Sequence, residues 1–294
     1  SCRAEWLPEF IAWCRERDVP FDFISPHVYP DDDEFEHVDP SYREIFNRGD
    51  YLETVVERAA ASVAGAAPGT PMHWTEWNSS WRWGRPIHDE PNQAAYICRA
   101  IHHVHRQVDS FAYWTVSDIF NEFPYPRAAL VGGFGLLTID GLPKPAYHAY
   151  TLLHRLGDVE LPTTVADADT AGQRLDCWAT RAAGGVQVLL VNYTPPGQTA
   201  PAALEADVRL RGLGAGQMLR FTAFRVDDEH ANLRGAWEAM GSPETPTRAE
   251  VARLADAAAL RPEARDAVAD GSGTAALRVP LPPGSAVLLE IAAG

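Results

Sequence analysis

Met72-His73-Trp74-Thr75-Glu76-Trp77 is the stretch on which the fold turns. It is short, rich in aromatic residues and ends beside a carboxylate. The helix breakers Gly65 and Pro68-Gly69 precede it, so it reads as a strand rather than a helix segment. Residues 41–64 before it and 92–107 after it carry helical spacing, and the second of these leads to another strand candidate, Phe111-Ala112-Tyr113-Trp114-Thr115-Val116-Ser117. Upstream, Trp6, Leu7, Phe10, Ile11, Trp13 and Cys14 recur at helical spacing over residues 4–17, with Arg and Glu between them. After Pro20 comes Phe21-Asp22-Phe23-Ile24-Ser25, a short apolar strand of the kind buried on both faces in a parallel sheet. It closes on Pro26-His27-Val28-Tyr29-Pro30. A fourth helix over 145–156 ends at Gly157. This α-β-α-β-α-β-α alternation predicts a parallel α/β unit over residues 1–157, with polar residues at the C-terminal ends of its strands.

From Asp158 onward the pattern changes to short strand candidates between Gly- and Pro-rich turns: 174–180, 186–192, 206–210, 219–226 and 286–291. Residues 158–294 therefore read as an antiparallel β-sandwich, interrupted by one helical insert over 247–259, and as a unit able to stand by itself. No internal repeat is evident.

Composition narrows the function. Twenty-five Lys+Arg against forty Asp+Glu leave a formal charge of −15, a field that repels phosphate backbones and anionic membranes. Nucleic acid and membrane surfaces are excluded as partners on that ground. Apolar runs are broken well before the roughly 18 residues a membrane helix needs. Cysteines 2, 14, 98 and 177 show neither CxxC pairing nor metal spacing and read as buried thiols. The first residues, Ser1-Cys2-Arg3-Ala4-Glu5-Trp6, show neither an initiator Met nor a signal pattern and enter amphipathic structure at once. The original start is expected to lie upstream, and cytoplasm is the default compartment.

The chemistry gathers at the strand ends. His27 and Tyr29 end one strand, Glu76 the next, and Trp114, Asp118 and Glu122 follow the third. Trp74, Trp77 and Trp81 surround the carboxylate. Aromatic walls beside carboxylates suit sugars, whose C–H faces lie on rings while their hydroxyls need acceptors. The plain alternative is a surface carboxylate next to core tryptophans, and spacing alone leaves both readings open. Other clusters point to less. His102, His103 and His105 do not converge on one helix face, since only 102 and 105 are a turn apart, so they read as a packed or solvated helix. Asp31-Asp32-Asp33-Glu34 lacks the glycine and ligand ladder of a calcium loop and reads as hydrated. Gly132-Gly133-Phe134-Gly135 lacks the following helix of a phosphate loop. Ser79 and Ser80 have no histidine pattern beside them and read as loop residues.

Taken in order, the motifs resemble glycoside hydrolase family 39, the β-xylosidase and α-L-iduronidase family. Phe21–Pro30, Thr75-Glu76-Trp77-Asn78-Ser79-Ser80, His88-Asp89, Tyr113–Glu122, Gly132–Thr138, Pro143-Lys144-Pro145-Ala146-Tyr147, Phe224–Asn232 and Gly241-Ser242-Pro243 all take part. The resemblance runs nearly end to end. It implies the C-terminal elements of a (β/α)8 barrel followed by an antiparallel β-sandwich, and retaining hydrolysis by two glutamates.

On the matched motif Glu76 is the nucleophile, ending the seventh barrel strand. Tyr29 would hold it, His27 would face substrate hydroxyls, and Trp114 on the eighth strand would wall the innermost sugar subsite. Glu122 occupies the second place of a hydroxyl-binding glutamate pair whose first place here is Asn121; Asp118 lies on the same rim. The family's acid/base glutamate ends the fourth barrel strand in an Asn-Glu-Pro motif, and this sequence matches from about the fifth helix onward. Asp89-Glu90-Pro91-Asn92 imitates that motif but follows Glu76, so Glu90 reads as a helix N-terminal carboxylate. The implied substrate is a xylo-oligosaccharide or aryl xyloside, with no metal or organic cofactor. An α-L-iduronidase-like or other glycosidase of the family is the alternative, as is a non-catalytic carbohydrate-binding fragment. The first barrel half is the one macromolecular partner implied.

Overall fold

The computed structural model describes residues 4–31, 49–120, 122, 128–166, 174–195 and 203–293. The first half runs α1 (Trp6–Glu16), β1 (His27–Val28), α2 (Tyr51–Ala66), β2 (His73–Trp74), β3 (Glu76–Trp77), α3 (Pro91–Val104), β4 (Ser110–Phe111) and α4 (Pro145–His154). Its strands are short, and they are parallel. β1 pairs with β3 in the register His27↔Glu76 and Val28↔Trp77, and β2 pairs with β4 through His73↔Ser110 and Trp74↔Phe111. An isolated parallel bridge, Ile24↔Met72, joins the chain just before β1 to the chain just before β2. The ladder continues past β4, where Trp114 N–H donates to the Trp77 carbonyl and Thr115 N–H to that of Phe134. Residues 24–28, 72–77, 110–115 and 134–137 thus lie side by side, with α2 and α3 as the crossovers that parallel neighbours require.

Helix positions follow local chemistry. Pro91 and Pro145 each occupy the first turn of their helix, where a missing N–H costs nothing. On α1 the buried residues are Ile11 and Cys14, while Trp6, Phe10 and Trp13 on the outer side are 66%, 49% and 48% exposed. Cys14 and Cys98 are buried free thiols, and Cys177 is a partly buried one.

The second half supplies β5 (Val159–Leu161), β6 (Arg174–Ala182), β7 (Gly185–Tyr193), β8 (Leu204–Leu210), β9 (Met218–Val226), α5 (Leu233–Ala239), α6 (Arg248–Ala257), β10 (Pro262–Val268), β11 (Ala275–Leu281) and β12 (Ser285–Ala293). A six-stranded sheet in the order β10-β9-β12-β7-β6-β5 and a separate β11-β8 pair are antiparallel throughout. Inward residues of the pair, Leu204, Ala206 and Val208 on β8 with Ala275, Leu277, Val279 and Leu281 on β11, pack on Leu190, Phe221, Val287 and Leu289 of the sheet. Alternation along each strand puts the next residues on the opposite face, and there the sheet is not open to water. Leu189, Val191, Tyr193, Phe224, Val226, Ala286 and Leu288 join Ala94, Ile97, Cys98, Ala149 and Leu152 of α3 and α4 in one apolar cluster. The central strands are therefore buried on both faces. Residues 158–294 expressed alone would expose this second face, which bears on the expectation that they stand by themselves.

The helical insert holds two helices where the sequence predicts one. α6 starts in a full capping box: Thr247 Oγ1 accepts from Glu250 N–H, and the Glu250 carboxylate accepts from Thr247 N–H. Leu233 and Leu254 from α5 and α6 pack with Leu130 and Leu142 in a small satellite cluster, which ties the insert to the loops after β4.

Beneath those loops lies a buried ionic knot. Lys144, the single lysine of the chain, is fully buried. Its Nζ lies 2.6 Å from Asp89 Oδ1 and 3.3 Å from Asp118 Oδ2, and donates to the Gly133 carbonyl at 2.8 Å. Gly133 has to be glycine, since a Cβ there would sit 2.3 Å from Asp118 Oδ1. Burial pushes the Asp118 carboxyl up while Lys144 pulls it back. His88 next door donates from Nδ1 to the Gly132 carbonyl at 2.8 Å, and its burial lowers it to about 4, so it packs as a neutral ring. Lys144→Ala should cost roughly 3–5 kcal/mol of unfolding free energy, because it strands two carboxylates in the interior. Urea denaturation of the variant checks this, and a loss under about 1 kcal/mol would mean that water reaches the knot.

Candidate active site

The parallel register at β1 and β3 places His27 directly beside Glu76, at the C-terminal ends of adjacent strands. That is the face on which open and closed parallel α/β sheets build their sites. The Glu76 carboxylate is held from two sides. Tyr29 Oη donates to Oε2 at 3.0 Å, and His27 Nδ1 lies 3.2 Å from the same oxygen. Glu76 keeps 27% side-chain exposure, so the carboxylate is oriented and still accessible. His27 is fixed in turn by its other nitrogen, since Nε2 lies 3.0 Å from Thr75 Oγ1, which is 2.9 Å from Ser25 Oγ. Both imidazole nitrogens are thus engaged by the protein, and His27 acts on the Glu76 carboxylate as well as standing at the rim.

The floor is aromatic. Trp77 is fully buried and stacks on Phe111 at 4.4 Å and 17°, and Trp74 is equally buried, so both belong to the core. Trp114 is only half-buried. Its position is set by its backbone: the carbonyl accepts from Asn78 Nδ2 at 2.6 Å, and the Trp114–Thr115 peptide is cis. Its ring meets Phe120 edge-on at 5.9 Å, and Phe120 continues to Trp83 at 5.5 Å and Phe134 at 6.1 Å. A continuous aromatic row therefore runs from Trp114 over the buried Lys144 knot.

Asn78, to which the sequence assigns no role beyond its motif, is the hub of the site's support. It is fully buried, and its Oδ1 accepts from Gln93 Nε2 at 2.8 Å and Tyr113 Oη at 3.2 Å. Gln93 also accepts from Ser79 Oγ at 2.6 Å. The signal was present in the sequence: an amide two residues past the strand-end carboxylate has to find partners if the strand is buried. The sequence places Asp31 in a hydrated loop. Instead it is buried and accepts from Ser80 Oγ and from Trp81 N–H at 3.0 Å, because its carboxylate satisfies the turn after β3. Asp32, Asp33 and Glu34 lie outside the described residues.

The remaining rim residues separate. Asp118 is 1% exposed, with Oδ1 accepting from Gly135 N–H at 2.7 Å and Lys144 beside it, so it supports the rim from beneath instead of offering an oxygen to a ligand. Glu122 is exposed. Asn121 lies outside the described residues. Glu90 immediately precedes α3. Burial pushes its carboxyl up, and the charges acting on it come from Arg234, Asp89, Glu238 and Asp228.

The chain therefore combines a parallel α/β unit, carrying a clamped strand-end carboxylate and an aromatic row, with an antiparallel β-domain. The glycosyl hydrolases family 39 profile matches residues 1–274, and the chain belongs to that family. It is 33% identical over 262 residues to a β-xylosidase of Geobacillus stearothermophilus, covering 86% of this chain and 48% of that one. It is 31% identical over 259 residues to a β-xylosidase of Caldicellulosiruptor saccharolyticus, covering 88% and 51%. The chain thus spans about half the length of the curated relatives it matches. A monomeric β-xylosidase from Caulobacter crescentus CB15 superposes with a TM-score of 0.77 at 26% identity, over 99% of this chain and 59% of that one.

Tyr29→Phe removes one donor from Glu76 without changing shape. A hydrogen bond to a charged group is worth about 1.5–3 kcal/mol, so, with Glu76 as a catalytic carboxylate, kcat/KM should fall roughly 10- to 100-fold. Steady-state kinetics on an aryl xyloside checks this, and an unchanged value would show that the bond plays no part in turnover.

Proposed function

We propose that residues 1–294 form the nucleophile-bearing part of a retaining β-xylosidase that releases xylose from the ends of xylo-oligosaccharides or from β-xylosides. The observation that carries this reading is the Glu76 carboxylate at a parallel strand end, clamped through one oxygen by Tyr29 and His27 and left partly open. The clamp leaves Oε1 as the attacking atom. Oε1 forms a bond to the anomeric carbon as the bond from that carbon to the leaving oxygen breaks, giving a glycosyl-enzyme. A carboxylic acid protonates the leaving oxygen, then as carboxylate takes the proton of the water that releases xylose. Trp114 stacks on the sugar face, and Glu122 with Asn121 takes its hydroxyls.

In this reading the proton donor comes from elements outside residues 1–294, as the family resemblance implies. Glu90 is a poor substitute, since it follows Glu76 in the chain and most of the charges around it, Arg234, Glu238 and Asp228, come from the second half. The same elements are the proposed occupant of the outer face of α1, where Trp6, Phe10 and Trp13 stand exposed. Residues 1–157 carry the barrel part and 158–294 the sandwich with its insert. The names borne by the matched relatives favour xylose over uronic acid.

Incubation of the full-length protein with a 2-fluoro xyloside followed by peptide sequencing should find the label on Glu76. A label on Glu90, Glu122 or Asp118 would defeat the assignment.

A further inference from the structure

We propose that His102, His103 and Asp176 form a binding site for a borderline divalent cation such as Zn²⁺, bridging α3 of the parallel half and β6 of the antiparallel half. One ligand atom from each of the three residues lies within 4.8 Å of the others. Two adjacent histidines on a helix point about 100° apart, which is why the helix alone predicts no convergence. Asp176 supplies it from across the interface: its Oδ1 lies 2.6 Å from His103 Nε2 and 3.9 Å from His102 Nδ1. Two imidazoles and one carboxylate are the donor set of three-ligand zinc sites, which complete a tetrahedron with water. His103 is 36% exposed, so solvent reaches that fourth position.

Three further features favour a cation over a plain ion pair. First, among the described residues His102 Nδ1 is buried and has no hydrogen-bond partner, although it faces a carboxylate oxygen. A buried ring nitrogen left unpaired is costly, and a metal ion between the two atoms would satisfy both. Second, the ligands are oriented. His102 is stacked on Trp178 at 4.8 Å and 19°, which fixes its ring plane. The other oxygen of Asp176 is held by Arg99, whose Nε lies 3.1 Å from Glu53 Oε1. Such outer contacts are what set the direction of metal-ligating carboxylates. Third, the adjustment is small. Ligand atoms on a tetrahedral Zn²⁺ at about 2.0–2.2 Å from the metal are roughly 3.3 Å apart, so the two contacts to Asp176 at 2.6 and 3.9 Å shift by less than about an ångström, while the pair of histidines, within 4.8 Å, closes by at most about 1.5 Å, which rotation of the 36% exposed His103 supplies. His105 is not a ligand, since its Nδ1 is taken by the His102 carbonyl at 2.8 Å and its Nε2 faces Glu160. The positive charge of Arg99 beside Asp176 is answered by Glu53 and does not stand alone against the metal.

A cation there would act as a clasp between the two halves, away from Glu76 in the fold. The test uses the purified chain, or the full-length protein if that is the form that folds, stripped with a chelator and titrated with Zn²⁺ by calorimetry and with Co²⁺ by visible absorption. The expected result is one Zn²⁺ per chain, a Co²⁺ band in the tetrahedral region, and a rise in Tm of roughly 5 °C or more at a hundredfold excess over Kd. His103→Gln and Asp176→Asn should each weaken binding by about 100-fold or more, and His105→Gln should leave it intact. If the Asp176 variant fails to fold, the pair His103→Gln and His105→Gln, compared by circular dichroism before titration, carries the decision. No heat and no cobalt band, or binding that survives His103→Gln unchanged because other histidines provide it, would overturn the site.

Discussion

Glu76→Ala in the full-length protein should lower turnover of an aryl xyloside by about 10⁴-fold or more, since it removes the atom that forms the covalent intermediate and the charge that steadies the oxocarbenium-like transition state. Fold should be unaffected, because Glu76 is partly exposed and its contacts are two hydrogen-bonded neighbours at the rim. Small anions sharpen the test. The lost carboxylate leaves space beside the anomeric carbon, and azide entering it should restore part of the turnover of an activated substrate and yield a xylosyl azide of inverted configuration. A variant that keeps more than about one per cent of the activity, or that azide leaves unchanged, would move the nucleophile to another residue. The same experiment on Glu122→Ala should lower kcat/KM without creating a response to azide, because a hydroxyl contact has no bond to the anomeric carbon to replace.

How far the sequence foretold this site depends on what each residue does. Glu76, His27 and Tyr29 were legible because their strands are short apolar runs, and the residue at the end of such a run has one place to go in a parallel sheet. The place of Trp114, just past β4, was legible for the same reason, while its contact with a sugar belongs to the proposal. Asp118 was not, since its position next to an exposed Ile119 says nothing of the Lys144 ammonium that draws its carboxylate inward. The lone lysine was visible in the composition, but its partners lie at positions 89, 118 and 133, and only the fold brings them together. In the antiparallel half, β6, β7, β9 and β12 announce themselves by β-branched and aromatic residues, whereas β10 (Pro262–Val268) is nearly all exposed and shows no apolar period. It is an edge strand, held by backbone bonds to β9, and such bonds leave little trace in side-chain type. β11 hides behind Pro280, which an open two-stranded pair tolerates and a central strand does not. The burial of the sheet's second face was hidden too, because alternation along one strand cannot tell whether the outward face meets water or a helix.

The other large effect concerns the leaving group. Residues 1–294 assayed alone should hydrolyse dinitrophenyl β-xyloside while failing on methyl β-xyloside and xylobiose, with a gap between the two classes some 10²- to 10⁴-fold wider than in the full-length protein. Dinitrophenolate departs as a stable anion and needs no proton, so the first step asks only for Glu76 to be aligned and ionised. An alkoxide is far too basic to depart unprotonated, so its departure waits on an acid beside the glycosidic oxygen. If that acid is supplied by elements outside these residues, the chain keeps the first chemistry and loses the second. Water attack on the glycosyl-enzyme also loses its base, so even the activated substrate should show a burst of about one dinitrophenol per chain followed by slow turnover. The experiment separates three cases. Equal loss on both classes of aglycone would point to a collapsed site around Glu76 and not to a missing acid. Full activity on xylobiose would place the acid within this chain, with Glu90 the first residue to substitute. A burst with the alkyl substrates inert would leave Glu76 poised and the proton donor elsewhere, the arrangement expected when the two carboxylates sit on different strands and only the nucleophile's strand lies in the sequence.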